Sequence, residues 1–154
     1  MKSLKKQLLR EQTNLKLNQL MLAGEVAPPP KGWINTIRTA LNMSLRQLAT
    51  KLAITPQSVN EIETREANGS VTINTLREVA EAMDLHFVYG FVPKDGSLDA
   101  LIERKARVLA EQIVMRTSNT MSLEDQEVSA QRLKKAIEER TILLKHEVPK
   151  GLWE

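Results

Sequence analysis

Two short helices joined by a tight turn are written into the stretch from Ser44 to Glu63 more firmly than any other structure in the chain. Ser44 is a helix-capping residue, and Leu48, Ala49 and Leu52 recur on one face of the helix it starts. The small Ala49 lets a second helix approach closely, and Ile54 fills the turn. Thr55 and Pro56 open that second helix, because threonine caps well and proline at the first helical position forfeits no hydrogen bond. Val59 and Ile62 then point back toward the first helix. Gln57, Asn60, Glu61 and Thr64, spaced three and four residues apart, are left together on the opposite, polar face.

The rest of the chain reads as mostly α. Hydrophobic residues make up 42% of the 154 positions but aromatic ones only 3%, so the interior must rest on aliphatic side chains, which favours helices. That length suits one cored domain with appended elements. Residues 1–26 form an N-terminal helical segment in which Met1, Leu8, Leu15 and Leu22 recur every seventh position, with Leu4 on a neighbouring row. Residues 27–32 carry Pro28, Pro29 and Pro30, cannot continue a helix and make a linker. A compact helical block occupies residues 33–85, its last helix, Ile73 to Met83, capped by Thr72.

Residues 86–154 are expected to supply one strand and two C-terminal helices as a dimerisation or partner-binding region. Leu85, Phe87, Tyr89 and Phe91 alternate with His86, Val88, Gly90 and Val92, a period of two that predicts a short strand over about 85–92. A lone strand needs a partner, here a second copy of itself or the tail from Glu147 to Trp153. One helix is expected from Leu98 to about Arg116, with a stripe of Leu98, Ile102, Ala106, Leu109 and Ile113. A second, from Leu123 to about Lys145, would start at a capping box of Ser122 and Asp125 and bury Leu123, Ala130, Leu133, Ile137 and Leu144. The tail reads as irregular, with Trp153 anchored.

The polar face of the second helix in the Ser44–Glu63 pair suits a DNA major groove. An Asn or Gln amide can pair two atoms of an adenine edge, and a Glu carboxylate can accept from the cytosine amino group. Gln57 and Glu61 are therefore the expected base readers, with Asn60 and Thr64 beside them. Arg46, Thr55, Ser58, Arg65 and Asn68 lie near helix ends, where phosphate contacts fix register without reading sequence. A formal net charge of +3 agrees with a nucleic-acid partner but is too small to argue for one.

From Leu45 to Gly69, with Leu48-Ala49, Pro56-Gln57-Ser58-Val59 and Ile62-Glu63, the chain resembles the phage-repressor or Xre-type helix-turn-helix domain. The resemblance implies a lambda-repressor-like helix-turn-helix bundle of five helices. It also implies an ion pair between an arginine of the first helix and a glutamate of the recognition helix, at Arg38 and Glu63 here. Pro56 stands where that family often carries a base-contacting Gln or Ser, which would leave specificity on fewer groups. Over its whole length, with the Pro-rich preamble, Gly32-Trp33-Ile34, the stretch His86 to Pro93 and the ending Val148 to Trp153, the chain is similar to the family called mobile mystery protein A. That resemblance implies a partner encoded alongside, a Fic-domain protein, in a toxin-antitoxin-like module.

The expected function is thus sequence-specific transcriptional regulation. The expected form is a homodimeric repressor on a palindromic duplex operator, acting on its own operon. The alternative is an antitoxin that restrains the Fic-domain partner, with DNA binding as autoregulation. Thr120 and Glu124 have the spacing of a Fic-inhibitory helix, but Asp125 breaks its last position, so the match reads as chance. No enzyme is expected, since His86 and His146 are the only histidines and no Gly-rich phosphate loop or metal-ligand cluster appears. No cofactor or metal is implied. With no cysteine, and with Lys5, Lys6, Arg10, Glu11 and Lys16 interrupting the leucines near the start, the cytoplasm is the expected compartment and no membrane contact is expected. Together with Lys2, those cations read as a solvated helix face rather than a DNA-following arm.

Overall fold

The computed structural model describes residues 2–123 and 129–154. They divide into two compact units, one made of Gly24–Gly90 and the other of Met1–Ala23 together with Phe91–Glu154.

The first unit holds α2 (Trp33–Ala40), α3 (Leu45–Leu52), α4 (Pro56–Asn68) and α5 (Ile73–Ala82); α1 (Lys2–Asn18) belongs to the second unit. Each of α3, α4 and α5 starts behind a hydroxyl cap. Ser44 accepts from the Gln47 N–H in a reciprocal capping box, Thr55 from Ser58 and Thr72 from Thr75. Each also ends in a left-handed residue, Ala53, Gly69 or Asp84, which turns the next N–H back onto an orphan carbonyl. Ile54 returns to Ala49 O at 3.0 Å, Ser70 to Arg65 O at 2.8 Å and Leu85 to Ala80 O at 2.8 Å. The core these helices enclose is aliphatic, with Leu48, Val59 and Val79 fully buried and Ile34, Ala49 and Met83 beside them.

No strand forms among the described residues, so the alternating segment after α5 is not a β-strand. Alternation gives a strand only where one face is buried and a second strand takes the backbone bonds. Here Val88 (77% exposed) and Phe91 (81%) point into solvent from opposite phases of the alternation, and the tail that might have paired is a short 3₁₀ turn, Lys150–Trp153. Side-chain contacts hold the segment instead. Phe87 and Tyr89 stack with centroids 6.0 Å apart, and the Arg77 guanidinium lies 5.7 Å from the centre of the Tyr89 ring.

The second unit is built on a packed pair of long helices, α6 (Leu98–Leu123) and α7 (Ala130–Glu147). Ala106 and Ala110 of α6 are completely buried, and their small side chains let α7 come close; Ile102, Leu144 and Leu152 fill the remaining core. The boundaries differ from those expected. No glycine or proline interrupts residues 116–123, and Thr117 and Thr120 bond back to the Ile113 and Arg116 carbonyls, so α6 runs on through Leu123. Ser122 therefore lies inside a helix, and α7 starts behind the Ser129 cap, whose oxygen accepts from Arg132 at 3.3 Å. Glu124 and Asp125 lie outside the described residues. The tail is anchored by Leu152, 4% exposed, whereas Trp153 is half exposed.

Helix α1 ends at Asn18 and buries no residue, and its leucine row faces solvent, with Leu8 and Leu15 respectively 49% and 69% exposed; Leu22, 80% exposed, lies beyond it in the 3₁₀ turn Met21–Glu25. Its docking row is polar. Asn14 Oδ1 accepts from the Leu98 N–H at the start of α6 (2.9 Å), while Asn14 Nδ2 and Arg10 Nε donate to the two oxygens of Asp99 at 2.8 and 2.7 Å. The turn before α6 is tied in the same way, by Arg104 Nε and Nη2 to the two Asp95 oxygens at 2.8 and 3.0 Å.

The Arg104 hydrogen bonds hold the Asp95 carboxyl below its ordinary value. The stability this gives is present above the usual aspartate pKa and is lost as pH falls through the lowered midpoint. Carboxyl NMR titration should find the Asp95 midpoint beneath the usual range, and Arg104→Gln should return it upward. An unmoved midpoint in that variant would exclude the Arg104 contact as the cause.

Candidate nucleic-acid interface

Helix α4 has one face committed to the protein and one left to solvent. On the inner face Val59 is fully buried, and the carboxylate of Glu63, only 5% exposed, is the buried charge of the unit. An unpaired carboxylate there would pay a large desolvation cost. Arg38 of α2 meets it with two bonds, Nε to Oε1 at 2.5 Å and Nη2 to Oε2 at 3.3 Å, and Asn35 Nδ2 donates to Oε2 at 3.0 Å. The remaining Arg38 nitrogen, Nη1, donates to the Met43 carbonyl at 2.9 Å, just ahead of α3.

A second carboxylate of α4 performs a capping role that local sequence did not reveal. Helix α2 has Gly32 at its N-cap and no side-chain cap of its own. Glu66 takes that place, its Oε2 accepting from the Trp33 N–H at 3.0 Å and its Oε1 from Ile34 at 2.8 Å. This also accounts for the glycine. Gly32 has φ +85°, and a Cβ there would lie 2.7 Å from Glu66 Oε1. Glu63 and Glu66, one helical step apart, thus clasp α2 in its middle and at its start. The available signals were the missing cap at Gly32 and the i,i+3 spacing of the two glutamates.

On the outer face Gln57, Asn60, Glu61 and Thr64 are all exposed and lie together. They are not equivalent. Gln57 and Asn60 make no side-chain bond among the described residues, whereas Glu61 lies 3.5 Å from Arg65 across one helical turn. The Thr64 hydroxyl donates to the Asn60 carbonyl at 2.9 Å. Among the five residues at helix ends, Arg46 is exposed and outside every ion pair of the described residues. Thr55 and Ser58 share a hydroxyl contact of 2.8 Å within the α4 cap. Asn68 Oδ1 accepts from the Ser70 N–H and hydroxyl, which leaves its amide NH2 for an acceptor outside the protein. Arg46 lies in the first turn of α3 and Ser58 in the first turn of α4, so these groups flank the outward row rather than joining it.

No cluster of His, Asp and Glu able to hold a metal occurs among the described residues, and none of their helices is long and apolar enough to cross a membrane.

Residues 34–89 match a family model described as Helix-turn-helix (HTH_3). This part of the chain is therefore similar to helix-turn-helix domains of the DNA-binding, Xre type, with α3 and α4 in the place of the two namesake helices. The match does not reach the Pro-rich preamble or the ending Val148 to Trp153, on which the resemblance to mobile mystery protein A also rests. No curated protein and no solved structure matches the chain.

Removing one partner from a buried ion pair strands the other, at a cost of about 3–5 kcal/mol. Arg38→Ala should lose that much in urea unfolding followed by circular dichroism of the isolated protein. A loss within about 0.5 kcal/mol, ordinary for a surface substitution, would show that Glu63 does not depend on Arg38.

Proposed function

We propose that this chain is a sequence-specific transcription regulator whose α4 lies in the major groove, with Gln57 and Glu61 reading base edges beside Asn60 and Thr64. The observation that carries the reading is the division of α4. One face is pinned to α2 by two carboxylates, and the other presents four polar side chains with nothing packed over them. A rigid helix with an uncovered polar row is what direct readout requires. Arg46, Thr55, Ser58, Arg65 and Asn68 supply the backbone contacts that set its register. In this reading Arg65 exchanges Glu61 for a phosphate when the carboxylate turns to its base.

The chain acts as a homodimeric repressor of its own operon, two copies of α4 entering successive major grooves of a palindromic site about 34 Å apart. A protein partner is the second reading. It is favoured by the solvent-facing leucines of α1, since exposed apolar rows mark interaction surfaces. The partner implied by the family resemblance is a Fic-domain protein encoded alongside. Co-purification of the two products, with and without Leu8→Glu and Leu15→Glu, tests that reading, and no complex in either case would remove it.

Gln57→Ala and Glu61→Ala should each cost about 1–3 kcal/mol at one base pair and relax preference there, measured on sites selected from random duplex. Wild-type preference in both variants would refute the assignment of α4 as reader. Arg46→Ala should instead weaken binding on every sequence and lower the salt slope by about one unit. An unchanged slope would leave Arg46 without a phosphate.

A further inference from the structure

Where the start of α1 meets the end of α7 and the C-terminal turn, the second unit encloses a cleft of about 650 Å³. That size falls within the range of small-molecule sites, about 300–1,000 Å³. Five cationic side chains line it, Lys2, Lys6, Arg10, Lys145 and Lys150, against two carboxylates, Asp99 and Glu147. Asp99 is already occupied by Arg10 and Asn14. The Arg10 bond uses Nε alone, so the two terminal nitrogens of a guanidinium held in place by Asp99 remain for another acceptor. Lys2, Lys6 and Lys150 belong to no ion pair among the described residues, and Lys145 reaches Glu103 only at 3.6 Å. Cations gathered in a concavity focus a positive potential that a flat surface would dissipate.

One wall is aromatic. Leu152 anchors the tail, yet the neighbouring Trp153 is half exposed and lines the cleft. An indole offered in this way is a stacking surface for a planar ring. Val148, also in the lining, holds φ at 45°, a left-handed conformation that a β-branched residue adopts only under constraint.

We propose that this cleft binds a small phosphorylated molecule carrying an aromatic ring, of the nucleoside diphosphate class, with the phosphates on Arg10, Lys6 and Lys150 and the ring on Trp153. A DNA backbone is a poorer match, because duplex phosphates lie on a convex surface and offer no ring to the indole.

Titration calorimetry of the full chain with ADP, without magnesium, tests this, with pyrophosphate and adenosine as separate arms and tryptophan fluorescence as a second readout. ADP should bind one to one and quench fluorescence, more tightly than pyrophosphate or adenosine. The double variant Lys6→Gln, Lys150→Gln should weaken ADP by at least about tenfold with circular dichroism unchanged, since neither side chain supports the fold. Trp153→Phe should remove the quench, leaving the signal of Trp33. Absence of saturable heat at millimolar ADP, or equal binding by the double variant, would overturn the site. Pyrophosphate binding as tightly as ADP would overturn the role of Trp153. If duplex of unrelated sequence displaces ADP and the double variant loses affinity for that duplex, the cleft is a DNA contact and the proposal fails.

Discussion

A single carboxylate, that of Glu63, organises the DNA-binding head. It sits where charge is expensive, against an aliphatic core, and is tolerable only because Arg38 and Asn35 meet both of its oxygens. Those partners lie on α2, and the same guanidinium reaches the Met43 carbonyl ahead of α3. One polar cluster therefore relates three helices to one another. Its worth lies in geometry more than in net stability, since a buried pair of this kind returns little of what its desolvation costs. Apolar contacts alone would permit α4 to roll about its axis; the fork of Arg38 fixes the roll and so fixes which side chains look outward.

The parts of this head that could be read in the sequence are those whose causes are local. A hydroxyl at Ser44, Thr55 or Thr72 and the N–H it accepts from are three residues apart, so each cap is visible in a short window. The aliphatic spacing of Leu48, Ala49, Val59 and Ile62 is equally local. The Glu66 cap of α2 is not, because donor and acceptor are separated by more than thirty residues. Only an unexplained helix start at Gly32 hinted at it. The strand expected over 85–92 failed for the opposite reason, since its alternation was genuine but the backbone partner that strands require was nowhere in the chain to be found among the described residues.

The N-terminal helix teaches a related lesson. Heptad leucines usually mark the buried side of a helix, yet in α1 the side that docks carries Arg10 and Asn14. The reason lies on α6, whose first turn has an unsatisfied N–H at Leu98 and a carboxylate at Asp99 that call for polar partners. Once those bonds set the orientation of α1, the leucine row has no place in the core of its own unit. The heptad spacing alone does not say which face docks; here polar complementarity at a helix terminus outweighs an apolar stripe.

The interleaved order of the two units has a consequence for how the protein is made. On a ribosome the chain emerges from its N-terminus, and residues 24–90 hold every contact that their own core requires. The head can therefore be complete while the second unit still lacks α6 and α7. During that interval α1 has nothing to dock on, since Asn14 waits for Leu98 and Arg10 for Asp99, partners 84 and 89 positions downstream. Helix α1, made before the head, thus settles only once α6 has emerged, and until then its leucines stay open to nascent-chain chaperones.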